Sequence, residues 1–188
     1  MGIEALGNHT EVVLDYSNLL NHLQKKIIDN QKVVDPFNLL GLIDNPSLQK
    51  KASQIFSKYQ YSKKYSLKKL NPYSKRSKIR IGYFSADFHN HATMHLMAEL
   101  FESHNKVNFE IFAFSFGPNK DDSWRDRVKL CFDEFFDVSL ISDYQITLLA
   151  KEKEIDIAID LKGYTHNSRP KIFSEGSAPI QVRDRKSV

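Results

Sequence analysis

One cysteine in 188 residues already excludes two classes of protein. Cys131 alone can form neither an internal disulfide framework nor a multi-cysteine zinc site, and such usage fits a reducing compartment. Its setting, "RVKLCFDEFF", is apolar, which favours an inert buried thiol over a nucleophile. Long hydrophobic runs are missing too: nothing approaches the ~18 residues of a membrane span. The opening "MGIEALGNHT" has no basic region followed by an apolar stretch. Neither a signal peptide nor a membrane partner is expected, and the expected location is the cytoplasm. Glycine loops that cradle phosphate are also absent, since no G-x-G-x-x-G follows the first strand-like run and no G-x-x-x-x-G-K occurs anywhere.

What is present is the composition of a globular protein, 41% hydrophobic and 27% charged, in a chain long enough for one domain and an extension. The formal charge of +4 comes mainly from Lys58 to Arg80, where basic residues alternate with Tyr and Ser. A basic run between structured segments reads first as a solvated linker. The Lys-Tyr stretch from Tyr59 to Tyr73 could stack bases and neutralise phosphates of RNA, but the linker reading is the stronger, and nucleic acid is not the expected partner.

The chain reads as two halves. From Glu11 to Tyr65 apolar residues recur at helical spacing, with Val12, Val13, Tyr16, Leu19, Leu20, Leu23 and Ile27 forming a stripe. Asp35-Pro36 and Asn45-Pro46 each read as an N-cap followed by proline in the first turn of a helix. From Lys78 the pattern changes to strand-like runs, "IRIGYF", "FEIFAFSF", "FFDVS" and "IDIAIDLKG", separated by helical ones, with "NSRPKIFSEG" opening another helix despite Pro170. Strands alternating with helices imply right-handed crossovers and a parallel sheet covered on both faces. The expected fold is an α/β, doubly wound lobe behind a helical leader.

In such a sheet a ligand binds beyond the carboxyl ends of the strands, where the strand order reverses. With the order 3-2-1-4, the loop "SADFHNHAT" after the first strand and "DLKGYTHNSR" after the fourth would meet there. Three readings of His89, His91 and His95 compete. His91 and His95 are four apart, as metal ligands on one helix face would be, but Ala92 stands where H-E-x-x-H has its glutamate, and no metal is expected. Alternatively His91 is a general base or donor oriented by Asp87. Under the plainest reading His95 begins a helix and packs beneath the sheet while His89 is merely solvated. That last reading is kept for His89 and His95, and both of the last two remain open for His91. Gly163 follows a strand, where a tight turn is favoured over close approach to a ligand.

Taken in order, "KIRIGYFSADFHNHATMHLM", "FEIFAFSFGPNKDDSWRDRV", "IDIAIDLKGYTHNSRPKIF" and "APIQV" closely resemble the first catalytic lobe of the O-linked N-acetylglucosamine transferase family, which includes the SPINDLY proteins. The resemblance covers residues 76–182. The segment "VVDPFNLLGLIDNPSLQKKASQIFS" resembles the helices that join tetratricopeptide repeats to that lobe in bacterial members. It implies three parts: residues 1–75 as helical leader and basic linker, 76–182 as the Rossmann-like N-terminal lobe of a GT-B glycosyltransferase, and 183–188 as an atypical tail. It further implies transfer of a sugar from a nucleotide donor, UDP-GlcNAc or GDP-fucose, to Ser or Thr of acceptor proteins, with no cofactor. The histidine proposed as a base in the family maps onto His91, beside Asn90. Asp87 and Thr93 share that motif, and Asp160, Lys162, Gly163, Tyr164 and Thr165 match the motif bordering the cleft.

This sequence departs from the family in places. Ala92 replaces a common proline, and His89 replaces a common glycine, which bears on the local backbone. The ending "RDRKSV" departs from the aromatic and Gly-Tyr-Pro-Gly-Thr-like continuation of relatives. Because the family holds its nucleotide chiefly in a second lobe, the expectation is a truncated chain, inactive alone. The alternative is a non-catalytic protein-binding fragment or pseudoenzyme, against which stands the intact "NHATMH".

Overall fold

The computed structural model describes residues 4–60, 72–74 and 76–183, with side chains from residue 15 onward. It divides into two units, Met1–Lys64 and Tyr65–Val188. The first contains helices α1 (Glu4–Ile28), α2 (Pro36–Leu40) and α3 (Pro46–Gln60). Ile27, Leu39, Ile43, Leu48, Ala52 and Ile55 form its core. Only part of the expected α1 stripe is inward: Ile27 is buried and Leu20 and Leu23 pack against the core, while Tyr16 and Leu19 are exposed. The side chains of Val12 and Val13 lie outside the described residues. Asn45 caps α3, accepting from the N–H groups of Ser47 and Leu48, both at 3.1 Å. Asp35 occupies the N-cap position of α2 but its side chain makes no capping bond. Proline at the first position has already removed one orphan donor there.

In the second unit β1 (Ile79–Ser85), α4 (Ala92–Glu102), β2 (Phe109–Ser115), α5 (Ser123–Lys129), β3 (Glu134–Asp137), α6 (Asp143–Glu152), β4 (Ile157–Asp160), α7 (Lys171–Ser174) and β5 (Ile180–Arg183) follow in order. Every strand pair is parallel, in the order β3-β2-β1-β4-β5. Strand alternation sends side chains to opposite faces. Ile81 and Tyr83 of β1 and Ile111 and Ala113 of β2 join one core with Met94, Ala98 and Phe101 of α4 and Val128 of α5. Phe84 of β1 and Phe112 and Phe114 of β2 join the other, with Ile146 and Ala150 of α6 and Ile172 of α7. The sheet is therefore buried on both faces, as the near-continuous apolar runs require. Cys131 lies in the first core, where burial pushes its thiol up from its ordinary value.

From β1 the chain steps to β2 and β3 on one side, then crosses to β4 on the other. The order reverses between β1 and β4, where Phe84 pairs with Asp160. Among the described residues no helix is long and apolar enough to cross a membrane. Of the Lys-Tyr stretch, residues 61–71 lie outside the described set, as do residues 184–188 of the tail.

Candidate active site at the strand crossover

Two loops meet at the crossover, and a buried ion pair joins them. Lys162, two residues past β4, places Nζ 2.9 and 3.0 Å from the oxygens of Asp87, two residues past β1. Both side chains are 6% exposed. Burial alone would raise the Asp87 carboxyl, but the Lys162 ammonium, the nearby His91 ring and the Thr93 hydroxyl together hold it below its ordinary value. The Thr93 hydroxyl donates to Asp87 Oδ2 at 3.0 Å, and the Thr93 backbone N–H donates to His91 Nδ1 at 3.1 Å. His91 is thereby the N-cap of α4, its backbone extended at φ −154° and ψ 152°. An imidazole nitrogen serves here where Ser or Asp is more usual.

The β4 loop is built around Asp160, whose Oδ1 accepts from the N–H groups of Lys162 at 2.9 Å and Gly163 at 3.0 Å. Gly163 sits at φ +57°, the left-handed region that glycine enters without steric cost, which accounts for the turn. Thr165 closes it, donating from its hydroxyl to the Lys162 carbonyl at 2.8 Å. Among the described residues Asp160 Oδ2 is buried without a hydrogen-bond partner, and Arg183 Nε approaches to 3.4 Å. The Arg183 guanidinium lies over the Tyr164 ring, 4.1 Å from its centre. Burial raises the Asp160 carboxyl, and the loop N–H groups and Arg183 offset this only in part. Two carboxylates at adjacent strand ends are thus driven in opposite directions.

Asp87, His91, Thr93 and Lys162 form one network, while Asp160, Gly163, Tyr164 and Thr165 frame the second loop. Asn90 does not join the Asp87 network: it is exposed, and its Oδ1 meets His95 Nε2 at 2.9 Å. The readings of two other histidines are corrected. His95 is exposed on α4, its ring tilted 37° against that of Trp124 with centroids 4.3 Å apart, rather than packing beneath the sheet, because the inward positions of that helix belong to Met94, Ala98 and Phe101. His89 is 6% exposed rather than solvated, its Nδ1 without a hydrogen-bond partner among the described residues. Burial, and then Lys120, lower its basicity. Among the described residues no group of three or more His, Cys, Asp or Glu side chains could hold a metal ion.

Sequence reasoning missed two residues that shape the site. Asp122, the α5 N-cap, also accepts from the Asn90 N–H. Arg125, 2% exposed, donates to the Phe88 carbonyl, Ser115 Oγ and Asp137. An arginine three residues ahead of the apolar Val128 was its available signal. A separate open groove of about 690 Å³, lined by Phe116, Pro118, Leu140, Ile141, Asn167 and Arg169 among others, contains none of the sequence-selected residues.

Residues 46–184 match glycosyl transferase family 41. The chain belongs to this family. A probable UDP-N-acetylglucosamine–peptide N-acetylglucosaminyltransferase SEC of Arabidopsis thaliana is 41% identical over 105 residues, 56% of this chain and 11% of the relative. The corresponding Caenorhabditis elegans transferase is 35% identical over 111 residues, 56% of this chain and 9% of the relative. A probable SPINDLY transferase of Arabidopsis thaliana is 27% identical over 107 residues, 55% and 12% of the two chains. The chain thus spans about a tenth of the length of these curated relatives. The family 41 fold is also shared with a solved O-GlcNAc transferase mutant of Thermobaculum terrenum, at TM-score 0.68 and 23% identity over 74% of this chain and 27% of that one. The sheet and its flanking helices are the Rossmann-like lobe of that GT-B fold.

Proposed function

We propose that this chain supplies one wall of the active site of a protein O-glycosyltransferase. The sugar is N-acetylglucosamine, with fucose as the alternative, and passes from a UDP- or GDP-linked donor to Ser or Thr of acceptor proteins. Family membership and the relatives' transferase names support the reaction class. The observation that carries the site is the Lys162–Asp87 pair, which joins the two strand-end loops where the sheet order reverses and sets His91 at their rim. In the transfer the acceptor oxygen bonds to the anomeric carbon, the bond from that carbon to the phosphate oxygen breaks, and the hydroxyl proton leaves. Such chemistry needs polar groups aimed at oxygen in a shielded crevice. This reading places the reaction in the cytoplasm, needs no cofactor in this lobe, and involves neither membrane nor nucleic acid.

The test is transfer from UDP-GlcNAc and from GDP-fucose to protein acceptors by the full-length protein that carries this segment, beside its His91→Ala variant. A group that moves a proton or stabilises developing charge is worth at least about 10²-fold in rate, so the variant should lose at least that much. Undiminished transfer would remove His91 from the site. Absence of transfer from either donor would favour a protein-binding role instead.

A further inference from the structure

We infer that Arg183 is a phosphate-binding residue, its guanidinium fixed at the end of β5 with the two terminal nitrogens offered to the oxygens of a phosphate group. β5 runs parallel to β4 and sets Arg183 beside Asp160, which on its other side pairs with Phe84 of β1. Arg183 therefore lies at the carboxyl ends of the strands, the edge of an open parallel sheet where ligands bind. Three contacts lay its side chain along the β4 loop. The stem passes Gly163, where an added Cβ would come within 3.7 Å of the arginine Cδ. The guanidinium carbon is 4.1 Å from the centre of the Tyr164 ring, and Nε is 3.4 Å from Asp160 Oδ2.

A guanidinium carries its N–H donors in a planar fork. Here Nε faces Asp160, while Nη1 and Nη2 meet no acceptor among the described residues. In this Arg183 differs from the other described arginines: Arg76, Arg80, Arg125, Arg127 and Arg169 each give at least one Nη to a protein oxygen. The side chain is 40% exposed, so a ligand can reach it, whereas Lys162 on the neighbouring loop is 6% exposed and committed to Asp87. Stacking and ion pairing set the plane of the fork before any ligand arrives, which reduces the ordering cost of a long side chain. Parallel N–H groups of such a fork match two oxygens of a phosphate. The position follows from this geometry alone. That the phosphate is the diphosphate of the sugar donor rests on reading the crevice as a glycosyl-transfer site, and gives this lobe a contact to the leaving group.

The experiment titrates the 188-residue chain with inorganic pyrophosphate, UDP-GlcNAc, GDP-fucose and N-acetylglucosamine, followed by ¹⁵N NMR at the arginine Nε–H groups and the Gly163 and Tyr164 amides. Saturable shifts at Arg183 are expected with every phosphate-bearing probe and none with N-acetylglucosamine. Arg183→Ala should weaken pyrophosphate binding at least about tenfold, the ratio that one hydrogen bond between charged groups sets. Arg183→Lys keeps the charge but not the fork and should recover only part of the loss. No shift at Arg183 with pyrophosphate, or equal affinity in Arg183→Ala, overturns the inference, and the wild-type titration decides it even if a variant does not fold. Tighter binding of either nucleotide sugar than of pyrophosphate supports the donor as the source of the phosphate. Equal or weaker binding overturns that assignment in favour of free phosphate ions. Because no transfer is measured, this result and the sugar-transfer assay can fail independently.

Discussion

Lys162 and Asp87 lie 75 residues apart in sequence and form a buried ion pair with both carboxylate oxygens engaged. They meet because β1 and β4 are paired strands and each residue sits two positions beyond its strand end. The pair links the loop after β1 to the loop after β4 through side chains, at 2.9 and 3.0 Å.

Removing one member of a buried pair leaves an uncompensated charge, and the usual cost is about 3–5 kcal/mol. Lys162→Met should therefore lower unfolding stability by roughly that amount. The double variant Lys162→Met with Asp87→Asn should recover much of the loss, because the stranded charge is gone. Urea denaturation of the four proteins measures the coupling. Strict additivity of the two substitutions would show that the pair does not act as a unit.

Stability should decline as the pH falls from about 7 to about 5, the interval in which exposed histidines take up protons. Burial, with Lys106, lowers His104 from its ordinary value, and burial, with Lys120, lowers His89. In this interval the unfolded chain binds more protons than the folded one, so acid favours unfolding. Asp160, raised by burial, works in the opposite direction as it protonates. Tyr83, which burial pushes up to about 12, stays protonated and can donate to His104 Nε2 at 2.8 Å. His104→Gln should flatten the decline, as urea midpoints at the two ends of the interval would reveal. An unaltered slope would clear His104 of the effect.

The short apolar runs "IRIGYF" and "FEIFAFSF", rich in strand formers, made β1 and β2 legible in the sequence. The parallel order then followed from the helices between strands. β5 was not legible as a strand: its four residues are all exposed, and Ile180 and Val182 show no buried face to read. The crossover location was legible from strand order, and with it the neighbourhood of Asp87, His91, Thr93 and Lys162. The Lys162–Asp87 bond and the depth of His89 depend on long-range packing, which local pattern does not encode. The split of the α1 stripe into buried Ile27 and exposed Leu19 has the same origin.

Gly117 should not tolerate a side chain. A Cβ there would lie 1.9 Å from the Ala86 carbonyl oxygen, and backbone at that distance must move. Ala86 precedes Asp87, so the displacement reaches the ion pair. Gly117→Ala should cost about 1–3 kcal/mol or more, as overpacking does. Gly41→Ala is the contrast: an added Cβ would meet the Asn38 carbonyl oxygen at 3.9 Å, ordinary van der Waals contact, and its φ of −82° suits any residue. Thermal unfolding of both variants should show a loss for the first and little change for the second. Equal behaviour would contradict the close approach at Gly117.

Asp122 serves two elements with one carboxylate. It accepts the Arg125 N–H at 2.9 Å, capping α5, and the Asn90 N–H at 3.1 and 3.0 Å, fixing the loop that leads into α4. The Asn90 N–H and then the Arg125 N–H hold its carboxyl below the ordinary value. The bonds are therefore strongest above the ordinary carboxylate range and weaken as acid reaches the depressed value. Asp122→Ala should accelerate hydrogen exchange at the amides of both Asn90 and Arg125, whereas Asp122→Asn, still able to cap, should affect them less. Amides of α6, which has its own capping box from Ser142 and Gln145, serve as the internal reference. Faster exchange at Arg125 alone would reduce Asp122 to a helix cap, whereas faster exchange at both ties the placement of His91 to α5 as well as to the β4 loop.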